Sequence, residues 1–495
     1  MIRTGEEYRQ SINTGRDIWI DGEKVDDILN HPVFKPAINV RARIYDMAHE
    51  DGTRDIMTYQ ENGETNSIAH KRPYSEQDWL DKRRAVEAVM DDVKGVVTRV
   101  GDATIGEMWS LYDGRDVLNE VNPAYSENIS RHLDDAVTAD LFQVSANTDP
   151  KGDRSRPPHE QDPDMLLHAV GETSRGIIVR GAKYETAAAY ANRAFVKPTI
   201  ANWGNSELSE YALGFSLDMN TPGLKFICRS GFAGRQKPED YPLSNRVDEV
   251  DTLVVFDDVE IPWEDVFFYQ HTKAATYIRQ TLHRYSAYPF VLRVIRLADM
   301  LIGTALWNVK QTGLDKVPAV QEKLARLACY REGIHAHLTA AVKLGETSPG
   351  GLYMPNQSLL YSGRILASSQ LPEMMHLARE LCGGQMVLTP DYASFQHPET
   401  GPWLNKFYSV NENWVAEDRR RLLAYARDLL NSDYAGHRVT FQLFAQSPPF
   451  ANADALYRSF DWNHSLDVVK EAAGLSDNIL PERYARDLAL ANPEA

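Results

Sequence analysis

Cysteine is scarce: Cys228, Cys329 and Cys382 are the only three in 495 residues, far apart and without CxxC spacing. An odd, scattered set excludes a disulfide framework and argues against a zinc site. Long apolar runs are missing too. None approaches the roughly 18 residues that a membrane-spanning helix needs. The opening Met1-Ile2-Arg3-Thr4-Gly5-Glu6 lacks the apolar stretch of a signal peptide, so a cytoplasmic location is expected. Basic residues are outnumbered, 53 Lys and Arg against 70 Asp and Glu, for a formal charge of −17. Such a surface repels polyanions, which argues against nucleic-acid or anionic-membrane partners. No internal repeat or low-complexity segment occurs, and no G-x-G-x-x-G follows a candidate strand, so a Rossmann domain is not expected. His335 and His337 stand two apart on a helix, face different directions and make no metal pair; no metal site is predicted.

What is present suffices for a large core, with 43% hydrophobic residues. The length suggests roughly two to four domains. Residues 1–150 read as mainly helical. Thr4 with Glu7 has capping-box spacing, Ser75 caps a helix from about Glu76 to Val97, and Asp21-Gly22 marks a small hairpin. Residues 147–164, polar and proline-rich, form a long irregular loop of the kind that often binds ligands. Over residues 151–270 the period changes. Short runs at 176–179, 195–198, 212–215, 224–228 and 253–256, separated by turns, predict a small antiparallel barrel or sandwich. Residues 271–495 return to helical periodicity, with segments at 275–312, 317–346, 357–382 and 417–446 of the length expected in a four-helix bundle.

The chain is organised around residues 241–269. Thr252 to Phe256 reads as a buried strand, Asp257-Asp258 as the turn that closes it, and Ile261-Pro262-Trp263 as an extended exit. The preceding Arg246, Asp248 and Asp251 suit either a surface ion-pair loop or a ligand-facing cluster. Tyr241-Pro242-Leu243-Ser244-Asn245-Arg246, then Asp248-Glu249, Asp251 and Ile261-Pro262-Trp263-Glu264, resembles a stretch of the 4-hydroxyphenylacetate 3-hydroxylase family, which includes the chlorophenol monooxygenases. The likeness runs from Thr4-Gly5-Glu6-Glu7-Tyr8 to the Gly436-His437-Arg438 region. It implies an α+β chain with the acyl-CoA dehydrogenase plan: helical domain, β-barrel, four-helix bundle.

The resemblance also implies a chemistry. These proteins are oxygenase halves of two-component monooxygenases, which take FADH2 from a separate NAD(P)H:flavin reductase. With O2 they form a C4a-hydroperoxyflavin and hydroxylate a phenol or an electron-rich heteroaromatic. Asn147, Asp149, Lys151, Asp153 and Arg154 match a loop that lies against the flavin. Gly176-Ile177-Ile178-Val179 with Lys183 and Thr186 matches a strand whose threonine meets flavin N5. Arg229, Asp251 and Arg438 complete the flavin set. Guanidinium groups suit it because reduced flavin and its pyrophosphate are anionic. Arg99 falls on an Arg-x-x-Asp segment, Arg99-Val100-Gly101-Asp102, whose arginine holds the phenolic oxygen. A cation there favours phenolate and pushes electron density into the ring; a helix C-terminal arginine complementing the macrodipole is the competing reading.

The substrate end departs from the family. Ala103 replaces a tyrosine, Ser145 replaces a histidine near the loop, and Ala287 or Pro289 falls where the chlorophenol branch has another histidine. His283, Tyr285 and Tyr288 are the nearby replacements, with His283 and Tyr288 as catalytic candidates beside Arg99 and Thr186. A homotetramer is the family's assembly. Three alternatives stay open: an acyl-CoA dehydrogenase-like flavoenzyme, an iron–sulfur dehydratase, for which the close cysteine pair is lacking, and a non-catalytic helical scaffold.

Overall fold

The computed structural model describes residues 2–97, 102–198, 205–445 and 447–476. Arg99 therefore lies outside the described residues. The local signals act where they stand. Capping boxes formed by Thr4 with Glu7, and Ser75 with Asp78, start α1 (Gly5–Ile12) and α2 (Glu76–Val93). α2 stops short of the predicted Val97 because Lys94 turns left-handed, at φ +53°. α3 (Asp102–Asp113) and α4 (Pro123–Ala139) follow.

The strands of the two main sheets are β1 (Asp17–Ile20), β2 (Glu23–Lys24), β3 (Gln143–Ala146), β4 (His168–Glu172), β5 (Gly176–Thr186), β6 (Arg193–Val196), β7 (Leu213–Asp218), β8 (Leu224–Cys228), β9 (Asp251–Pro262) and β10 (Val266–Tyr269). β1 and β2 form the hairpin predicted at Asp21-Gly22, both residues of which have positive φ. A six-stranded sheet runs β2-β1-β8-β9-β5-β4, and a four-stranded one runs β10-β7-β6-β3. Among the described residues these are two open sheets, not the closed barrel expected. Nor are they wholly antiparallel: β1 pairs β8 in parallel, and β3 pairs β6 in parallel. Both parallel partners come from outside residues 151–270, so alternation within that segment could not disclose them. The sheets meet through apolar faces, with Phe215 edge-on to Phe256 at 6.5 Å.

Asp257-Asp258 does not end its strand. β9 continues to Pro262 through an irregular register between Phe256 and Val259, where Asp258 adopts φ +51°. Such a bulge inserts an unpaired residue, and aspartate tolerates the left-handed conformation better than most.

C-terminal to the sheets lie α5 (His283–Gln311), α6 (Pro318–Lys343) and α7 (Gln357–Cys382), which pack on one another. The predicted 417–446 helix is two: α8 (Ala416–Asn431) and α9 (Asp433–Ala445). Ser432 divides them, donating from its hydroxyl to Asp428 O at 2.6 Å and accepting from the Ala435 N–H at 3.1 Å. Both lie against α5 and α7. α3 crosses the start of α5 closely at Gly106, where an added Cβ would stand 3.0 Å from the Ser286 nitrogen. That approach brings the polar residues of α3 to the head of α5.

One buried histidine makes stability pH-dependent. His132 on α4 faces Gln143 Oε1 at 3.0 Å, and burial takes its imidazole from 6.5 down to about 4. Between those values the unfolded chain binds a proton that the folded chain refuses. Stability is therefore expected to fall as pH falls through that window, by about 1.4 kcal/mol per pH unit from this group. His132→Gln should flatten the pH dependence of the urea midpoint there. An unchanged slope would assign the acid sensitivity to other groups.

Candidate functional site

Residues 241–251 are fastened from behind. Asp428 of α8 is fully buried and accepts from the N–H groups of Leu243 and Ser244, at 2.6 and 2.9 Å, and from Ser244 Oγ at 2.5 Å. Three donors on one carboxylate fix the turn against the helices. The chain then enters β9 at Asp251, whose register partner on β5 is Thr186.

Asp251 is the centre of a polar cluster. Its Oδ1 accepts from Thr186 Oγ1 at 2.5 Å; its Oδ2 takes Arg229 Nε at 2.8 Å and pairs with His437 Nε2 at 2.6 Å. Burial works against ionisation, but the His437 bond and charge, then Arg229 and Thr186, hold the carboxyl well below the usual range. Arg229 also donates to Asp248 Oδ1 at 2.6 Å and lies over the Phe232 ring at 4.4 Å. His437 packs edge-on to that ring at 5.6 Å. One residue further along α9, Arg438 is buried and donates to Val247 O at 3.1 Å. Of the residues predicted together, Thr186, Arg229 and Asp251 thus meet directly, while Arg438 binds the segment just before them, at Val247 O and Glu249. Sequence reasoning reaches His437 only as the middle of Gly436-His437-Arg438; a histidine beside an arginine at an expected anion site is the available signal.

This donor set suits an anionic ligand. Arg246 Nε, Arg438 Nε and His437 Nδ1 are buried and lack hydrogen-bond partners. The orphaned guanidinium N–H groups of Arg246 and Arg438 are of the kind that donate to phosphate or carbonyl oxygens.

The 147–164 loop divides into two kinds of residue. Asp149 and Lys183, separately predicted to bind cofactor, are joined to each other in a buried ion pair. Burial dominates and lowers the Lys183 ammonium despite the neighbouring carboxylate. Asn147 accepts from Thr148 Oγ1 at 3.2 Å. Lys151, Asp153 and Arg154 are exposed. The loop is pinned within itself, where the Asp153 N–H donates to Gln161 Oε1 at 2.9 Å, and to β5, where the Tyr184 N–H donates to Thr148 O at 2.7 Å.

A second polar cluster lies between α3, β3, the exit of β6 and the head of α5. Glu107 accepts from both Ser145 Oγ and Lys197 Nζ, and Ser145 is also 3.3 Å from Thr104 Oγ1. Ser145, where the family has histidine, is therefore tied to a buried ion pair. Glu107 and Lys197 were not singled out from sequence. A lysine ending a strand just before Pro198 was the one visible hint. His283 Nδ1 is 3.1 Å from Ser286 Oγ, and burial, then the charges of Arg364 and Lys197, push its imidazole well below its usual value. Such a ring can accept a hydrogen bond from a phenol but holds a proton poorly. Tyr288 goes elsewhere: its ring lies 5.0 Å from Trp79 in an aromatic group with Trp109 and Tyr285, and burial raises its phenol.

The profile described as 4-hydroxyphenylacetate 3-hydroxylase N terminal matches residues 4–268, and its C-terminal counterpart matches residues 272–474. The chain belongs to this family. Its relatives include the 4-hydroxyphenylacetate 3-monooxygenase oxygenase component of Thermus thermophilus, 29% identical over 93% of this chain and 95% of that one. The 2,4,6-trichlorophenol monooxygenase of Cupriavidus pinatubonensis is 27% identical over 90% and 87%. A solved oxygenase component of 4-hydroxyphenylacetate 3-monooxygenase, complexed with FAD and 4-hydroxyphenylacetate, superposes with a TM-score of 0.88 at 29% identity, covering 95% of this chain and 99% of that one. A 4-hydroxybutyryl-CoA dehydratase from N. maritimus reaches 0.90 at 22% identity over 99% of each chain, a likeness of fold.

Proposed function

We propose that this family member is the oxygenase component of a two-component monooxygenase that hydroxylates a phenolic or electron-rich heteroaromatic substrate. The observation that carries the reading is the convergence of Thr186, Arg229 and His437 on Asp251, within a chain that the family profiles match over residues 4–268 and 272–474. Reduced FAD, supplied by a separate reductase, brings the capacity to activate O2. The protein's residues do the rest. Arg229 and Arg438 neutralise and seat the flavin, Thr186 meets its N5 edge, and the loop at Asn147, Lys151, Asp153 and Arg154 covers it. Arg99 holds the substrate oxygen. His283, kept neutral, accepts a hydrogen bond at the substrate end, where Ser145, Glu107 and Lys197 replace the family's histidine. We read residues 1–150, 151–270 and 271–495 as three domains in the order helical, sheet, helical of the acyl-CoA dehydrogenase plan, with two open sheets in place of its barrel and a four-helix bundle that assembles a cytoplasmic homotetramer.

The test mixes the protein and anaerobic reduced FAD with oxygenated buffer, without substrate. A long-lived absorbance distinct from that of oxidised flavin is expected, because residues that exclude water from the site would slow the return to oxidised flavin. Return of oxidised flavin at the rate seen in free solution would sink the oxygenase reading.

A further inference from the structure

A threonine hydroxyl has one proton to give, and the fold commits the one on Thr186. Thr186 and Asp251 are register partners across β5 and β9, with Oγ1 and Oδ1 2.5 Å apart. An ionised carboxylate only accepts, so the proton lies on the threonine and points at Asp251. Asp251 is kept ionised and in place by Arg229 and His437, which reach it from β8 and α9. What Thr186 offers a ligand is therefore a lone pair.

We propose that Asp251 is a positioning residue that makes Thr186 an obligate acceptor, so that the site selects reduced over oxidised flavin by hydrogen-bond polarity. This deepens the reading above and rests on Thr186 meeting N5. Reduced isoalloxazine carries N5–H, a donor that the lone pair complements. Oxidised isoalloxazine presents a bare N5, an acceptor facing an acceptor. To serve it, Thr186 would have to abandon a charge-assisted bond. An oxygenase that receives its flavin by exchange from another protein gains direction from such a filter.

The experiment measures anaerobic affinities of the full-length protein for FAD and for dithionite-reduced FAD. The wild type is expected to bind the reduced form tighter by about ten-fold or more, the scale of one charge-assisted hydrogen bond. Thr186→Val should weaken the reduced form by a similar factor and leave the oxidised form unchanged. Asp251→Asn, which leaves Thr186 free to donate, should narrow the ratio by tightening the oxidised form. If Thr186→Val weakens both forms equally, the hydroxyl serves either polarity and the proposal falls while the contact stands. If it moves neither, Thr186 does not meet the flavin and the underlying reading falls with it. Asp251→Asn keeps Thr186 and carries the test if valine prevents folding; an unchanged ratio there overturns the proposal.

Discussion

Replacing Arg99 by alanine is expected to leave flavin oxidation intact while product formed per reduced flavin collapses, with hydrogen peroxide making up the difference. Two steps compete once oxygen has been activated: attack by the ring and loss of peroxide. Only the first needs the substrate oxygen held as phenolate. Removing one cation that stabilises developing charge costs roughly 2–4 kcal/mol of transition-state stabilisation, about thirty- to thousand-fold in the coupled rate. Product yield and peroxide, measured together under a fixed supply of reduced FAD, decide the matter. Unchanged coupling would remove Arg99 as substrate anchor. A parallel loss of flavin binding would move Arg99 to the cofactor set. Arg99→Lys is expected to recover only part of the yield, because an ammonium lacks the planar fork of the guanidinium.

The largest stability effect is expected at Asp149→Ala. Its carboxylate meets Lys183 in the interior, where Lys183 keeps only 2% of its side-chain surface. Truncating one partner strands a buried charge, a loss of about 3–5 kcal/mol. Replacing both, as Asp149→Leu with Lys183→Met, should restore most of it, since apolar groups of similar volume incur no desolvation penalty. Urea midpoints of Asp149→Leu, Lys183→Met and the double variant measure the coupling. Equal and additive losses would mean that the pair stabilises nothing jointly. Because Lys183 and Thr186 share β5, the single variants should also loosen flavin binding, whereas the double should bind nearly as the wild type.

The two effects separate kinds of legibility. Arg99 was readable as a candidate because its segment, Arg99-Val100-Gly101-Asp102, is contiguous. Asp149 and Lys183 were each readable as polar residues in a family motif, yet their pairing was not. A sequence shows which charges exist, but a buried lysine and an exposed one are spelled alike. The same holds at the substrate end, where Ser145 marked a departure without disclosing that Glu107 and Lys197 stand behind it.

Sequence by itself determined the features whose causes lie within a few residues. The caps at Thr4 and Ser75, the hairpin at Asp21-Gly22 and the long helices at 318–343 and 357–382 follow from local hydrogen bonding and periodicity. Over a longer span, the family motifs marked Thr186, Arg229, Asp251 and Arg438 as candidates for one flavin site, of which Thr186 and Arg229 are hydrogen-bonded to Asp251. Tertiary structure alone decided what those residues do to one another. It drew β1 and β3 into sheets as parallel partners, carried β9 through a bulge where a turn was expected, and split the last long helix at Ser432. It also placed Asp251 against Thr186 across 65 residues, and Asp428 against Leu243 across 185. The physical reason is common to all of these. Parallel pairing, burial of a charge and the direction of a shared proton depend on which distant groups meet after collapse, and hydrophobic patterning constrains the faces that meet without naming the polar partners.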